Sequence, residues 1–214
     1  MALKIAKIVN EPIDSNCYLI YDTTISSKCI IVDPGSQKEY KLDGILEKLY
    51  LVPEYIILTH EHFDHCWGVN HLRKRYPDVR LSCTAICSKA IQNERLNYSH
   101  YSGYEEFKIE PADILLEDID WILKWNGYVF YFEPAKGHTA SGIIFHVATT
   151  LFTGDSLIKG AATITKFKSG SDSDFKETLK IIETKKGKKY TIYPGHGDVF
   201  SLDDYDLSIA LNKE

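Results

Sequence analysis

The feature that most constrains the fold of this chain is a run of three histidines and one aspartate within six residues. The run contains His60, His62, Asp64 and His65, and it follows a short apolar segment at residues 55–58. An apolar run of this length, bounded by polar residues, is typical of a buried strand. Because imidazole and carboxylate groups bind metal ions, the fold is expected to bring further donors to the loop after this strand.

Three further candidate donors also follow strand-like runs. They are His138 after residues 128–132, Asp155 after a predicted hairpin at 142–147 and 150–152, and His196 after residues 190–193. Aromatic and β-branched residues, which fill these runs, favour a pleated sheet. In open sheets flanked by helices, ligands collect at the carboxyl ends of strands. The sequence therefore predicts that seven donors converge from four strand ends, enough for two cations.

The rest of the pattern predicts the elements around these loops. Residues 4–9, 17–21 and 29–32 are expected to form a meander that ends at the turn Asp33-Pro34-Gly35. Apolar residues at helical spacing predict one helix over residues 42–49 and another over 69–76. We interpret Asp33 as a turn residue, with a buried acid behind the donors as the alternative.

The order of the four donor segments resembles that of the metallo-β-lactamase superfamily, and particularly its glyoxalase II-like branch. The resemblance spans most of the chain and implies an α/β (α+β) fold. This fold is a four-layer αβ/βα sandwich of two mixed β-sheets with helices outside. The sequence has no long Gly, Ser or Pro tract that would form a linker, so we expect a single domain over residues 1–214.

The same resemblance implies a binuclear metal centre with Asp64 and Asp155 as catalytic residues. By position, His60, His62 and His138 would hold the first cation, Asp64, His65 and His196 the second, and Asp155 would bridge the two. A carboxylate has enough lone pairs to bind both cations. Two divalent ions are expected, with Zn favoured by imidazole and carboxylate ligands and Fe or Mn as alternatives.

Such a centre predicts a hydrolase. Two cations about 3.5–4 Å apart can activate a shared water, and a metal-bridged hydroxide would then attack a substrate carbonyl. The resemblance implies a thioester or related acyl bond, as in hydroxyacylglutathione hydrolases. Glutathione recognition stays open, because only residues 197–214 follow the last donor, where glyoxalase II has a further helical region. Residues 163–166 also replace a Gly-Arg dipeptide that many relatives carry.

Three alternatives remain. A mononuclear iron persulfide dioxygenase would use His60, His138 and Asp155, and two histidines with one carboxylate suit such an iron site. An RNA-processing nuclease would carry the same motif, but a net charge of -5 provides no basic field for phosphates. A non-catalytic metal-binding domain would be expected to have lost some of the donors.

The remaining expectations concern the cellular location of the protein, its partners and the residues around the predicted metal site. Residues 1–7 lack a signal-like apolar stretch, so we expect a cytoplasmic protein with a small-molecule substrate, no nucleic acid and no membrane partner; the oligomeric state stays open. Five cysteines without paired spacing do not favour disulfides, and Cys66 is expected to pack in the core. Lys166 and Lys168 are interpreted as solvated side chains, with contact to an anionic substrate as the alternative. The loop 97–104 is interpreted as a pocket wall or lid, with an ordinary surface loop as the alternative.

Overall fold

A computed structural model describes residues 3–38 and 40–211 of the chain. The chain divides into two compact units, residues 1–115 and residues 116–214. Among the described residues, each unit contains one six-stranded sheet. The single domain expected over residues 1–214 stays a prediction. No helix in the part of the chain that the structure describes is long and apolar enough to cross a membrane.

The first unit combines a mixed sheet with short helices. Its elements are β1 (Lys4–Val9), β2 (Asn16–Tyr21), β3 (Lys28–Val32), α1 (Tyr40–Leu49), β4 (Val52–Ile57), α2 (Phe63–Cys66), α3 (Val69–Arg75), β5 (Arg80–Cys83), α4 (Ala85–Ala90), a 3-10 helix at Ser99–Tyr101 and β6 (Ile114–Leu115). The strands lie in the order β1-β2-β3-β4-β5-β6. Strands β1 to β3 are antiparallel, whereas β3 to β6 are parallel. The predicted meander and both predicted helices are confirmed.

The parallel pairing of β3 and β4 places the chain segments that follow them at one edge of the sheet. Val32 pairs with Ile57, and the backbone N–H of Asp33 donates to the carbonyl of Ile57 at 3.1 Å. Strand β4 begins earlier than the apolar run at residues 55–58 indicated, because it already includes Pro53. This proline lies at a register shift in the β3–β4 ladder, where an irregularity tolerates a residue without an N–H.

The second unit contains the other mixed sheet. Its elements are a 3-10 helix at Leu116–Ile119, β7 (Ile122–Trp125), β8 (Tyr128–Pro134), β9 (Ile143–Val147), β10 (Thr150–Gly154), α5 (Asp172–Glu183), β11 (Thr191–Pro194), β12 (Phe200–Ser201) and α6 (Ser208–Leu211). The strand order is β12-β11-β10-β9-β8-β7. Only β10 and β11 are parallel among these described pairs. The predicted hairpin is confirmed as β9 and β10.

Helix α5 buries one face against this sheet. Phe175, Leu179 and Ile182 share a core cluster with the strand residues Leu151 and Ile192. The spacing of these three helix residues gives the apolar stripe that a surface helix needs. At the start of the helix, the Ser171 hydroxyl accepts from the N–H of Asp174 at 3.2 Å, which satisfies a backbone donor of the first turn.

Strand β8 extends beyond the strand-like run predicted at residues 128–132 and continues through Pro134. Pro134 pairs with Ile143 of β9 and lies beyond Tyr131, the last residue of β8 that pairs with β7. The missing N–H of this proline therefore leaves no ladder position of β7 unsatisfied, and the strand can extend.

We expect Phe145→Ala to destabilise the protein by about 3–5 kcal/mol, the usual loss for a buried phenylalanine. Phe145 is fully buried, and its ring stacks on Phe152 at 4.5 Å between centroids and contacts Phe132 at 5.1 Å. Equilibrium denaturation in urea measures the change. Tyr50→Ala, at an 85% exposed aromatic residue, should change stability by no more than about 0.5 kcal/mol. Similar losses in both variants would contradict the assignment of Phe145 to the core.

Candidate metal centre

The first donor group, His60, His62, Asp64 and His65, lies in the loop after β4 and in the short helix α2. The ring centroid of His60 is 4.7 Å from that of His62 and 4.3 Å from that of His65. Asp64 Oδ2 lies 3.5 Å from His65 Nε2. The Nε2 atoms of the three histidines are buried. The structure thus brings these four residues together within the first unit, while their role as ligands stays a prediction.

Asp33 lies behind this loop as a buried acid, so its interpretation as a simple turn residue was wrong. Its Oδ1 accepts from the N–H of Thr59 at 2.8 Å, and its Oδ2 accepts from the Thr59 hydroxyl at 2.6 Å. Oδ2 also lies 3.1 Å from His65 Nδ1. Because a carboxylate only accepts, Nδ1 carries the proton, which leaves a lone pair on Nε2 of His65.

Thr59 orients a second histidine in the same way. The Thr59 hydroxyl oxygen is 3.0 Å from His60 Nδ1. Since its own proton points to Asp33, this oxygen accepts from the Nδ1–H of His60. The lone pair of His60 is therefore also on Nε2. One buried carboxylate, directly and through a threonine, determines which nitrogen of two predicted ligands can bind a metal ion.

Gly35 allows the turn after β3 to approach the donor loop closely. A Cβ on this residue would lie 1.7 Å from the Asp64 carbonyl oxygen. The same carbonyl accepts from the Ser15 hydroxyl, and Asn10 Nδ2 donates to Ser15 Oγ at 2.8 Å and to the carbonyl of Asp33 at 3.2 Å. The backbone at Asp64 is thus fixed by groups from the connection between β1 and β2 and from the turn. Sequence reasoning identified the turn but not this contact.

The second donor group, His138, Asp155 and His196, lies at one edge of the other sheet. Asp155 Oδ2 is 3.5 Å from His138 Nε2 and 3.6 Å from His196 Nε2. Strands β10 and β11 are parallel and pair at Gly154 and Pro194, so Asp155 and His196 leave the sheet side by side. The structure therefore brings these three predicted ligands together within the second unit.

The loop before α5 orients His138. Nδ1 of this histidine donates to the carbonyl of Ile164 at 2.7 Å, which leaves the lone pair on Nε2. The Phe167 ring packs edge-on against the imidazole at 5.1 Å. Lys166 and Lys168, on either side of Phe167, are exposed, and their contact with a substrate stays a prediction.

Gly137 is needed immediately before His138. Its φ is +137°, and a Cβ there would lie 2.4 Å from Phe175 Cβ in helix α5. A side chain at this position would displace the helix or the loop, because such contacts do not occur between real Cβ atoms. The backbone that presents His138 thus depends on close packing against α5.

Other residues singled out in the sequence have structural contacts. Cys66 is buried and its thiol donates to the carbonyl of Glu61 at 3.4 Å; burial, and then the negative charge of Asp64, raises the pKa of this thiol well above its ordinary value. All five cysteines are buried, and none of them forms a disulfide. His71 contacts Asp43 at 2.8 Å and His100 contacts Glu106 at 2.8 Å. Both histidines, neither of them a candidate donor, thus pair with carboxylates of the first unit.

Both donor groups suit divalent cations. The hydrogen bonds at Nδ1 leave His60, His65 and His138 with a lone pair on Nε2, the form that binds a metal ion. Asp64 and Asp155 are partly buried carboxylates next to these imidazoles. Because burying negative charge is costly without compensation, a bound cation would stabilise each group.

The two mixed sheets and these donors at strand ends define a metallohydrolase-type fold. The chain belongs to the metallo-β-lactamase superfamily, whose family model matches residues 10–196. This match confirms the family that the donor segments indicated.

Curated relatives have modest identity to the chain. Hydroxyacylglutathione hydrolase of Hamiltonella defensa subsp. Acyrthosiphon pisum (strain 5AT) is 27% identical over 177 residues, which cover 83% of this chain but 61% of that protein. A probable metallo-hydrolase of Bacillus subtilis (strain 168), YqgX, is 27% identical over 206 residues and 94% of each chain. The chain spans only 49% to 61% of the length of three relatives named hydroxyacylglutathione hydrolase.

Solved structures share the fold. The B3 metallo-β-lactamase BLEG-1 superposes with a TM-score of 0.83 at 24% identity, covering 93% of this chain and 94% of that chain. TTHA1623, solved in a di-iron-bound form, superposes with a TM-score of 0.76 at 20% identity, covering 92% and 94%. The expected fold class, two mixed β-sheets with helices, is confirmed.

We expect Asp33→Asn to weaken metal binding by about 10- to 100-fold, the usual cost of losing a group that orients a ligand. An amide in place of Oδ2 would offer a weaker acceptor to His65 and to Thr59. Titration of the metal-free protein with Zn²⁺ against a chromogenic competitor measures the affinity. Asp43→Asn is the matched control, because Asp43 is also a buried carboxylate bound to a histidine, His71. Equal losses in both variants would contradict the role of Asp33.

Proposed function

We propose that this chain is a metal-dependent hydrolase that cleaves a thioester or related ester bond of a small molecule. The observation that supports this most is the position of Asp155 in the second donor group. One carboxylate oxygen lies 3.5 and 3.6 Å from two imidazole Nε2 atoms. The ionised carboxylate of Asp155 and the lone pair on Nε2 of His138 repel each other unless a proton or a cation lies between them. A shared cation fits this arrangement.

The family resemblance assigns the donors to two cations. His60, His62 and His138 would bind the first, and Asp64, His65 and His196 the second, with Asp155 as the bridge. Zn is the expected metal in both positions. The di-iron form of TTHA1623 makes iron the main alternative, and Mn binds the same donors.

Bound cations would supply Lewis-acid polarisation of the substrate carbonyl and a lower pKa for the attacking water. The protein's own contribution is orientation. Asp33, Thr59 and the carbonyl of Ile164 hold protons on the Nδ1 atoms of the histidines, so that Nε2 faces the ligand position. In the reaction the water oxygen bonds to the acyl carbon, the carbon–sulfur bond breaks, and the thiolate takes up the proton released by water.

The protein is further proposed to be a cytoplasmic, single-domain enzyme. Two relatives are named as hydrolases, one a hydroxyacylglutathione hydrolase and one a probable metallo-hydrolase, which supports a hydrolase. The specific thiol is open, because the chain spans 61% of the first relative and no glutathione-binding region is assigned in it.

The experiment is to measure metal content and hydrolysis together. Protein purified without a histidine tag or chelator would be analysed by elemental mass spectrometry and tested against a panel of thioesters, esters and lactones. We expect two equivalents of metal per chain, falling to about one in His196→Ala, with a parallel loss of thioester hydrolysis. His71→Ala, which alters a histidine bound to Asp43 outside the donor groups, is the matched control and should retain both the metal content and the hydrolysis.

The outcomes separate the candidate functions. A metal-replete protein that cleaves no substrate in the panel would contradict the hydrolase. A single iron that His196→Ala does not remove would favour the dioxygenase with His60, His138 and Asp155, and oxygen consumption with a persulfide would test it.

A further inference from the structure

Two rows of aromatic rings lead from the first donor group to the surface of the same unit. One row runs from His62 to Tyr98, with ring centroids 4.8 Å apart, and on to Tyr101 at 6.0 Å. The other runs from Phe63, which follows His62 in the chain, to Trp67 at 5.8 Å and to Tyr104 at 5.3 Å. The last ring of each row, Tyr101 in the first and Tyr104 in the second, is exposed to solvent.

The outer ring of each row is exposed to solvent. Tyr101 is 64% exposed and Tyr104 is 46% exposed, whereas Trp67 in the second row is buried. An aromatic side chain buries a large apolar area when a ligand packs against its ring. We define Tyr98, Tyr101 and Tyr104 as the aromatic rim.

Hydrogen bonds hold the loop that carries the rim. The buried Asn97 donates from Nδ2 to the carbonyl of Phe107 at 2.9 Å and accepts from the N–H of Ser99 at 2.8 Å. Ser102 Oγ donates to the carbonyl of Ser99 at 2.7 Å. Tyr98 has φ of +65°, a left-handed conformation that bulky residues rarely adopt and that clusters at ligand sites. The rings are therefore presented by a fixed loop.

We infer that the aromatic rim binds an aromatic acyl group of the substrate. This inference rests on the proposed hydrolase, since it places the acyl side of the thioester next to the ring of His62. Ring contacts with Tyr98, Tyr101 and Tyr104 suit a planar apolar group, because offset and edge-on aromatic pairs are favourable beyond the area that they bury.

The charge near the rim favours a neutral group over an anionic one. Glu105 and Glu106 follow Tyr104 and are exposed. Glu106 contacts His100, and Glu105 accepts from Gln37 at 3.0 Å. Carboxylates on a ligand would be repelled by Glu105, whose hydrogen-bond donor Gln37 is uncharged. A peptide thiol with carboxylates, such as glutathione, is therefore a poor match for the rim, whereas a phenyl group carries no charge.

The test compares two thioesters that share one neutral thiol, N-acetylcysteamine, and differ only in the acyl group, phenylacetyl or acetyl. The measured quantity is the ratio of the two kcat/KM values. We expect the parent to prefer the phenylacetyl thioester, and this preference to fall by about 3- to 10-fold in Tyr101→Ala, the range for loss of one aromatic contact. Tyr101→Phe keeps the ring and should keep the preference. Tyr50→Ala, which removes an 85% exposed tyrosine elsewhere, should also keep it.

A binding measurement separates this inference from the proposed function. Calorimetry with the phenethyl and ethyl thioethers of N-acetylcysteamine, which cannot be hydrolysed, measures recognition of the ring alone. If no thioester is cleaved but Tyr101→Ala and Tyr104→Ala weaken binding of the phenethyl thioether, the hydrolase is wrong and the rim is supported. If thioesters are cleaved and neither variant changes the preference or the binding, the rim inference is overturned.

Discussion

Asp155→Asn is expected to lower kcat/KM for a thioester by at least about 10²- to 10³-fold, the scale for losing one group that stabilises the transition state electrostatically. The substitution keeps the shape of the side chain but removes its charge. It also replaces one oxygen by an amide nitrogen, which has no lone pair for a cation. Asp155 Oδ2 lies 3.5 Å from His138 Nε2 and 3.6 Å from His196 Nε2. The substitution therefore changes the charge next to both histidines. Steady-state kinetics with metal content measured on the same samples tests the prediction.

The matched control for this substitution is Asp204→Asn, at an exposed aspartate of the same unit. It makes the same chemical change at an exposed residue that is not a candidate donor and should leave kcat/KM within about twofold, in line with the small effects of surface substitutions. An Asp155→Asn variant that retains both metal equivalents and full activity would show that the bridging role is wrong.

The donors could be predicted from the sequence because metal ligands must be particular residue types. His60, His62, Asp64 and His65 form a motif that packing alone does not require, and their position after an apolar run identified the strand end. His138, Asp155 and His196 are ordinary residues in isolation. The prediction for these three residues rested on the order of their segments along the chain. The parallel pairing of β10 and β11 explains why Asp155 and His196 lie close together.

Asp33 shows where this reasoning fell short. A single aspartate in Asp-Pro-Gly fits a turn so well that local chemistry gives no sign of its contacts with Thr59 and His65. Those contacts depend on β3 and β4 being parallel neighbours, and strand neighbours are not a local property. A search for acids after every strand predicted to adjoin β4 would have found it.

The strand limits were missed for a similar reason. Proline usually marks the end of a strand, and Pro53 and Pro134 therefore indicated strand ends. The missing N–H of a proline costs a hydrogen bond only if an adjacent strand presents a carbonyl at that position. At Pro134 the neighbouring strand β7 has already ended, and at Pro53 the ladder is irregular. The orientation of Tyr98 toward His62 is likewise set by tertiary packing. The sequence indicated only an aromatic loop.

Removal of bound metal is expected to lower the melting temperature by about 8–16 °C. A ligand at 1,000 times its Kd stabilises a protein by about 4 kcal/mol, and each kcal/mol shifts the melting temperature of a chain of about 150–250 residues by roughly 2–4 °C. Without cations, the partly buried carboxylates of Asp64 and Asp155 would lose their compensating charge. Calorimetric scans of the same protein before and after dialysis against a chelator, and after Zn²⁺ is restored, measure the shift.

Two variants show whether this shift comes from the proposed ligands. Phe145→Ala removes a core ring and should lower the melting temperature with and without metal by the same amount, so the difference between the two forms should persist. Asp155→Asn removes a donor, so the difference itself should shrink, because the remaining ligands bind the cations less tightly. A metal-dependent shift that stays full in Asp155→Asn would mean that the stabilising cations bind through other residues, and the assignment of the second donor group would then have to be abandoned.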